Sequence, residues 1–308
     1  PSPRLNFHNP PVQKIHPGVP GGELRSKPMD AQCQQFVDAI QAAASQGARL
    51  RLRGGGTKDF LGVPLQGEVL DTRAYVGIVS YEPSELVVTA RCGTPLAELE
   101  AALAAQGQCL AFEPPHFGPG STVGGMLAAG LAGPARVSVG GVRDFVLGAR
   151  LINGKGELLS FGGQVMKNVA GYDVSRLMAS SLGTLGLVVE VSLKVLPVAP
   201  SEATLMCAGL PQQTALDLLH RWGGQPLPLN ASCWVRDDTA NPVEDYLFLR
   251  LRGQIVQRLM SLRIDVCLVR DHVLIAHPAV RADLVERDVA LLQQLRSEEH
   301  TSELQSQR

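Results

Sequence analysis

Glycine is unevenly distributed along this chain, and its distribution limits the fold more than any other feature. Of the 32 glycines in 308 residues, 24 lie between Gly54 and Gly186. Glycine is favoured where the backbone turns sharply or approaches another group closely. A region so rich in glycine predicts a domain whose backbone lines a ligand.

Length and composition predict a globular chain of one large or two ordinary domains, with 45% hydrophobic residues and a net charge of -1. A charge so close to zero disfavours binding to polyanions, so we expect no nucleic-acid partner. No run of about 18 apolar residues and no basic segment followed by an apolar core is present. We therefore expect no transmembrane segment and a cytoplasmic location.

The cysteines and the late histidines do not have the spacing of metal ligands. His272 and His277 lack a spaced partner and are interpreted as core or surface residues. The six cysteines are scattered in apolar surroundings and are predicted to be reduced core residues. They are Cys33, Cys92, Cys109, Cys207, Cys233 and Cys267.

The two ends differ from the rest of the chain. Residues 1–28 are rich in proline and lack periodicity, which predicts a disordered or non-native leader before Met29. Residues 296–308 contain RSEEHTSELQS, which resembles a translated sequencing-adapter oligonucleotide, so we expect a non-native tail. A polar disordered tail is the alternative. Between them, a proline-rich boundary separates residues 29–197 from a smaller α+β domain, residues 198–295.

Hydrophobic periodicity and turn residues predict the main elements of the larger domain. One helix is predicted between Asp30 and Gly47, with Cys33, Phe36, Val37 and Ile40 on one face. A second helix is predicted after an N-cap at Thr94, with Leu96, Leu99 and Leu103 on one face. The strands are predicted at Leu50–Arg53, Glu85–Arg91, a hairpin from Phe145 to Phe161, and Leu187–Val195, whose even positions Glu190, Ser192 and Lys194 form a wet face. The smaller domain is predicted to begin with an apolar strand and a helix near Ala215–Trp222. Strands near Cys233 and Phe248, a helix, a strand at Ile264–Val269 and a last helix are predicted to follow.

The first candidate site is the loop Arg53-Gly54-Gly55-Gly56-Thr57-Lys58, which follows a strand directly. Successive N–H groups in such a loop can point into one concavity and bind a diphosphate, with Thr57 adding a hydroxyl donor. The spacing is neither a Walker A loop nor a Rossmann fingerprint, which disfavours ATP and nicotinamide sites. A plain tight turn would also explain the glycines.

Two further glycine elements follow. In the segment from Ser121 to Gly133, Ser121 or Thr122 is predicted to cap a helix whose first turn, with Gly124 and Gly125, exposes free N–H donors to an anion. Gly130 and Gly133 are expected to continue one smooth helix face. Close helix packing is the alternative. The third element is the turn 181–186, which precedes the strand at Leu187.

An ordered set of motifs resembles the FAD-binding subunits of glycolate oxidase. The motifs are RGGGTKDFLG, YEPSELVVTARCGTPLAELE, EPPHFG, STVGGMLAAGLAGPAR, GVRDFVLGARLI and KNVAGYDVSRLMASSLGTLGLVVEVSLKVLP. These subunits are flavoproteins of the vanillyl-alcohol-oxidase, or PCMH-type, family. The likeness covers roughly 170 residues in family order, which is the length of an ordinary domain, and it extends more weakly into the smaller domain. It implies an α+β fold in which two α+β subdomains embrace FAD and a smaller α+β cap domain, apparently truncated here, follows.

The resemblance also implies which residues contact FAD, and these assignments are inherited from it. Residues Arg53 to Thr57, with Lys58 beside them, would hold the diphosphate. The second element would contact the diphosphate and the isoalloxazine through Ser121, Thr122, Gly124, Gly125 and Gly130. Gly186, Leu187 and Val188 would add backbone contacts. Some relatives attach flavin covalently through a histidine in the first loop, and because that loop contains neither histidine nor cysteine here, we expect non-covalent FAD.

The implied reaction is oxidation of a small 2-hydroxy acid, with electrons passing to a second flavin subunit and an iron-sulfur subunit. Such partners would place the chain peripherally at the inner membrane. Arg143, Lys167, Arg176 and His116 are the candidates for a carboxylate-binding cation or a base, and each has an ordinary structural alternative. The run Lys167, Asn168, Tyr172 and Asp173 is predicted either to contact the cofactor or to brace two segments.

Two other functions remain open from the sequence. The chain could be an accessory subunit that carries FAD while the substrate binds elsewhere, or a related enzyme acting on D-lactate or another 2-hydroxy acid. Glycolate and lactate differ by one methyl group, whose discrimination is worth only about 1 to 3 kcal/mol.

Overall fold

The structure is a computed structural model, and it describes most of the chain between residues 30 and 276. The described ranges are 30–62, 66–163, 173–225, 227–239, 242–253, 267–270 and 273–276. Lys167, Asn168, Tyr172, His272, His277, the two helices predicted after Phe248 and both chain ends lie outside them. None of the described helices is long and apolar enough to cross a membrane.

Helix α1 (Ala31–Gln46) begins and ends where the sequence predicts. Asp30 accepts a hydrogen bond from the Cys33 N–H at 2.8 Å, and Gly47 ends the helix with a φ of 63°. The predicted face, formed by Cys33, Phe36, Val37 and Ile40, is buried. It packs with Tyr75, Cys92, Ile152, Leu187 and Val189.

Two sheets form the first part of the fold. A parallel pair consists of β1 (Leu50–Arg53) and β2 (Glu68–Asp71). The larger antiparallel sheet contains β3 (Ile78–Glu82), β4 (Val87–Arg91), β6 (Val146–Ile152), β7 (Leu158–Gly162) and β8 (Leu187–Lys194), in the order β3-β4-β8-β6-β7. The short strands β5 (Gln108–Cys109) and β9 (Leu196–Pro197) form a separate pair.

Helices cover this sheet and build its main core. They are α2 (Leu96–Ala104), α3 (Val123–Ala129) and the one-turn helices α4 (Arg136–Val139), α5 (Val142–Phe145) and α6 (Val174–Leu177). Leu96, Leu99 and Leu103 are fully buried, as their spacing predicts. They form one apolar cluster with Val123, Met126 and Leu127 of α3 and with β4, β6 and β8, so the helix that carries the second glycine element is anchored in the core.

A second sheet follows β9. It contains β10 (Glu202–Ala208), β11 (Leu229–Asp237), β12 (Glu244–Arg252), β13 (Cys267–Arg270) and β14 (Val273–Ala276), in the order β11-β12-β10-β14-β13. Helix α7 (Gln212–Gly223) packs Ala215, Leu218 and Trp222 against this sheet. The two α+β parts agree with the predicted fold class.

Three local predictions are wrong. Thr94 does not cap α2, because its hydroxyl bonds to the backbone of Gly77 at 3.0 and 3.2 Å and the N-cap is Pro95. Glu190 is not on a wet face: it is buried and pairs with Arg150 at 3.1 Å. Cys233 is exposed on β11, whereas Cys33 and Cys92 are buried as predicted.

The different burial of the cysteines predicts selective alkylation. Burial raises the pKa of the Cys92 thiol to about 12 and leaves it 2% exposed. Since the thiolate is the reactive form, iodoacetamide at neutral pH should label Cys233 within minutes and leave Cys92 unlabelled in the native protein. Peptide mass spectrometry checks this, and equal labelling of both cysteines without denaturant would contradict the structure.

A carboxylate joins the two parts of the fold. Glu113 pairs with Arg250 at 2.7 Å and with Arg252 at 2.8 Å, both on β12, and accepts from the Ala135 N–H at 3.2 Å. Nearby, the Ser138 hydroxyl on α4 donates to the carbonyl of Asn230 on β11 at 2.7 Å. We call the pairing of Glu113 with the two arginines the Glu113 bridge.

The Glu113 bridge predicts a loss of stability in acid. Desolvation alone would raise the pKa of Glu113, but the hydrogen bond and charge of Arg250, with smaller effects of Ala135 and Arg252, hold the pKa below its ordinary value of 4.5. A carboxylate with a lowered folded pKa contributes stability that is complete above 4.5 and is lost as the pH falls through the folded pKa. Urea unfolding between pH 6 and pH 3 should therefore show a steeper decline for wild type than for Glu113→Gln. Parallel curves would contradict this assignment.

Candidate functional site

The first two glycine elements meet backbone to backbone. A Cβ atom added to Gly55 would lie 1.5 Å from the carbonyl oxygen of Gly120, and one added to Gly54 would lie 2.5 Å from the Thr122 hydroxyl. Atoms do not approach so closely, so side chains at these two positions would force the segments apart. The triplet is therefore required for this contact, and the simple tight-turn alternative does not account for it.

The first loop presents a row of unused donors. The N–H groups of residues 54–58 have no hydrogen-bond acceptor within the described ranges. Gly56 adopts a φ of 69°, which lets the chain curve after β1. Consecutive N–H groups in such a curve form a concavity that suits an anion.

Arg53 is held by a carboxylate that the sequence reading did not consider. Its guanidinium lies over Gly56 and donates to Asp59 at 2.9 Å, and Arg51 pairs with the same carboxylate at 2.8 Å. The hydrogen bond from Arg53 is the main cause that lowers the pKa of Asp59. Because Arg51 and Arg53 share this one carboxylate, the loop keeps an excess of positive charge.

Lys58 links the first loop to the second. Its ammonium donates to the Ser121 hydroxyl at 3.0 Å and to the carbonyl of His116 at 3.4 Å. The ring centre of Phe117 lies 5.8 Å away, and Phe117 itself makes an edge contact with Phe60. Burial lowers the pKa of this ammonium.

Helix α3 does not offer the free donors expected from its sequence. Thr122 is its N-cap, as predicted, but the protein itself accepts from the first four N–H groups. The N–H of Val123 donates to the carbonyl of Thr94 at 2.9 Å, and that of Gly124 donates to the carbonyl of Cys92 at 2.8 Å. The N–H of Gly125 donates to the Thr122 hydroxyl at 3.2 Å, and that of Met126 donates to the Thr122 carbonyl at 2.8 Å. That expectation is wrong because the turn after β4 lies directly against the helix start. The absence of a side chain at Gly124 permits this packing, since a Cβ there would lie 2.7 Å from Cys92.

The predicted smooth face through Gly130 and Gly133 is also wrong. Gly130 has a φ of 63° and ends α3, so Gly133 lies beyond the helix. A Cβ at Gly130 would collide with Ser180, and one at Gly133 would lie 2.8 Å from Glu113. Both glycines permit close packing, which is the alternative that the sequence left open.

The third glycine element joins the other two. The N–H groups of Ser180 and Leu182 donate to the last turn of α3 at 3.1 and 2.9 Å. A Cβ at Gly183 would lie 3.4 Å from Leu52 of β1. Leu187 is buried in the α1 cluster, and Val188 packs against the main core. The structure thus brings all three predicted elements together.

Comparison with known proteins agrees with this arrangement. Residues 31–162 match the model of a family described as FAD binding domain. This part of the chain is therefore similar to FAD-binding domains.

Relatives and solved structures extend the similarity beyond that match. Over 220 residues the FAD-binding chain is 47% identical to glycolate oxidase subunit GlcE of Escherichia coli K12, covering 71% of this chain and 60% of that protein. It is 32% identical to D-lactate dehydrogenase of Anaerostipes hadrus over 160 residues, 52% of this chain and 32% of that protein. A solved alkyldihydroxyacetonephosphate synthase shares the fold with a TM-score of 0.59 at 18% identity, over 77% of this chain and 49% of that one. The chain therefore spans less than two thirds of these relatives.

The family resemblance and FAD as cofactor, both inferred from the sequence, are confirmed. The site also fits the group physically, because FAD carries a negatively charged diphosphate. The N–H groups of residues 54–58 have no acceptor in the part of the chain that the structure describes, and they lie beside surplus positive charge. Non-covalent attachment and the individual contacts of the FAD-binding residues stay predictions.

The candidates for chemistry in this FAD-binding domain are mostly engaged with the protein. His116 pairs with Glu100 of α2 at 2.8 Å, as expected for a loop histidine with a structural role. Arg176 pairs with Asp173 at 3.2 Å, and Asp173 caps α6. Arg143 is exposed on α5.

Sequence reasoning missed two residues of the EPPHFG segment. Glu113 and Phe117 adopt positive φ values of 52° and 55°, which non-glycine residues seldom do. Such conformations persist where surrounding contacts enforce them. Glu113 is held by the second sheet, and Phe117 by Phe60 and Lys58. The two prolines between Glu113 and His116 were the only signal of an unusual backbone.

Proposed function

We propose that this chain is the FAD-binding subunit of a glycolate oxidase, an FAD-dependent 2-hydroxy-acid oxidoreductase that converts glycolate to glyoxylate. The observation that carries the proposal is the 47% identity over 220 residues to a glycolate oxidase subunit. The N–H groups of residues 54–58, which have no acceptor within the described ranges, are the donors that such a cofactor would use.

Bound FAD supplies hydride-accepting chemistry for oxidation at the α-carbon of the hydroxy acid. The residues of this chain hold and orient the cofactor. The N–H groups of residues 54–58 bind the diphosphate, and Thr57 adds a hydroxyl. The second glycine element lies on the other side of its contact with the first loop and would bind FAD through Ser121, Thr122, Gly124 and Gly125, with Gly130 at the end of α3. Backbone contacts to FAD would come from Gly186, Leu187 and Val188. The loop holds the cofactor without a covalent bond, because it contains neither histidine nor cysteine.

We infer that the chain works in a complex. A second flavin subunit and an iron-sulfur subunit would accept the electrons, and the name of the Escherichia coli relative, a subunit of glycolate oxidase, supports an assembly of several chains. A cytoplasmic location, with any contact to the inner membrane made through these partners, is part of the same proposal.

A second candidate substrate is D-lactate. The 32% identity to a D-lactate dehydrogenase favours it. A single methyl group separates the two substrates, so a pocket that accepts one discriminates against the other by only about 10- to 200-fold.

The test is anaerobic reduction of the purified chain, alone and with its partner subunits. The full chain should show a flavin absorption spectrum that moves to the supernatant on acid precipitation. Glycolate should then bleach that spectrum at lower concentration than D-lactate does.

Each failure has a distinct meaning. Flavin that remains in the acid pellet would refute non-covalent binding. A folded protein that takes up no FAD, alone or with partners, would refute the cofactor role. Faster bleaching by D-lactate would assign the second substrate, and bleaching that requires a partner would place the substrate site on that partner.

A further inference from the structure

The turn between β6 and β7 contains the one Asn-Gly pair of the sequence, Asn153-Gly154. The backbone nitrogen of the residue after an asparagine can attack the side-chain amide, and glycine obstructs that attack least because it has no Cβ. Gly154 is exposed, and an added Cβ there would meet nothing within 4 Å. The turn therefore has room for the reacting groups to move together.

The fold holds the Asn153 amide in a position that suits this attack. Its Oδ1 accepts hydrogen bonds from the N–H groups of Lys155 at 2.9 Å and Glu157 at 3.0 Å. Attack at Cγ moves negative charge onto Oδ1, and donors already aimed at that oxygen stabilise the charge. The ring that the Lys155 hydrogen bond closes includes both Cγ and the Gly154 nitrogen, so the turn also keeps the reacting atoms near each other.

The attacking nitrogen is not engaged by the hairpin. The Gly154 N–H has no hydrogen-bond acceptor within the described ranges. Its neighbours do: the N–H of Asn153 donates to the Glu157 carbonyl at 3.1 Å, and that of Gly156 donates to the Asn153 carbonyl at 3.0 Å. Water can therefore remove the Gly154 proton without breaking a contact of the turn.

We propose that Asn153 is a site of spontaneous deamidation in the folded protein. A bond forms between the Gly154 nitrogen and Cγ of Asn153, and the bond from Cγ to Nδ2 breaks. The proton of the Gly154 nitrogen passes through water to the leaving amine, which departs as ammonia. One water molecule then opens the cyclic imide at either carbonyl and leaves aspartate or isoaspartate at position 153. The reaction needs no cofactor, and it stands independently of the proposed function.

The product opposes a carboxylate that the amide binds. Nδ2 of Asn153 donates to the Glu157 carboxylate at 2.7 Å. After deamidation an oxygen of a new carboxylate replaces this donor, and the two negative charges repel each other. The same turn rests on α1, because a Cβ at Gly156 would lie 2.5 Å from Cγ of Gln41. Deamidation should therefore loosen the end of the hairpin and its contact with α1.

The test incubates the full chain at mildly alkaline pH in heavy-oxygen water and follows the peptide that contains Asn153 by mass spectrometry. This peptide should take up the label and give two products, aspartate and isoaspartate, at least as fast in the native protein as in urea. Gly154→Ala should slow the reaction by about tenfold, because a Cβ restricts the backbone at the attacking nitrogen. Gly223→Ala is the matched control, since a Cβ there also meets nothing within 4 Å, and it should react like wild type.

Hydrogen exchange tests the structural consequence. The deamidated form, separated by its extra negative charge, should exchange the amides of β7 about two- to fivefold faster than the unmodified form, the range expected for exposed charges. In Glu157→Gln this acceleration should be smaller, because one of the two opposing charges is gone. A peptide that takes up label only in urea, or one whose rate ignores Gly154→Ala, would overturn the site. Equal exchange by the two forms would overturn the role given to Glu157.

Discussion

Replacing Gly55 with alanine should abolish measurable FAD binding while leaving most of the fold intact. The new methyl carbon would lie 1.5 Å from the Gly120 carbonyl oxygen, and backbone atoms on both sides of that contact cannot rotate away as a side chain can. The first and second elements must therefore separate. Binding that needs both segments at once should weaken by at least 100-fold, because displacements of about 1 Å cost that much at positioned sites.

The matched control is Gly154→Ala. Gly154 lies in the exposed turn between β6 and β7, and an added Cβ would meet nothing within 4 Å. Overpacking at Gly55 should lower the free energy of unfolding by about 1 to 3 kcal/mol, whereas Gly154→Ala should leave it almost unchanged. Thermal melts and fluorescence titration with FAD measure both effects. A Gly55→Ala variant that binds FAD like wild type would show that the two segments do not meet as described.

Removing the Glu113 carboxylate should destabilise the contact between the two sheets. Without it, Arg250 and Arg252 face each other with no shared anion, although Arg252 keeps Glu202 and Arg250 keeps Asn230. All three side chains of the Glu113 bridge are less than a third exposed. We therefore expect the loss of unfolding free energy to lie between the values for exposed and for buried ion pairs. We expect Glu113→Gln to lower the free energy of unfolding by about 2 to 3 kcal/mol.

Glu85→Gln serves as the control for loss of charge, because Glu85 is exposed and forms no ion pair among the described residues. Limited proteolysis adds a local measurement: the chain between β9 and β10 should be cut faster in Glu113→Gln than in the control. Equal cutting together with equal unfolding free energies would show that the bridge does not hold the two parts together.

The sequence predicted the features of the fold and site that depend on local steric constraints. A glycine triplet after a strand, a capped glycine-rich helix start and a third glycine turn were each visible, and they meet because only glycine permits the distances observed at Gly54, Gly55 and Gly124. The burial of Leu96, Leu99 and Leu103 followed from helical spacing alone.

What the sequence could not predict depends on distant partners. Glu113 and Arg250 are separated by 137 residues, and no local pattern links them. The N–H groups at the start of α3 seemed free because Cys92 and Thr94, which bind them, belong to another element. Threonine is a residue type that often caps helices, but the hydroxyl of Thr94 bonds to the backbone of Gly77 instead. In each case tertiary contact overrides local preference.

The position of Gly56 has a consequence for engineering a permanent flavin tether into this chain. A histidine installed there would need a left-handed backbone and would place its Cβ 2.2 Å from the Arg53 guanidinium. The Arg53 side chain would therefore have to move away from position 56. Asp59 would then keep only its ion pair with Arg51. A covalent attachment at position 56 would therefore require changes of at least two residues. It would also remove one of the positive charges beside the first loop.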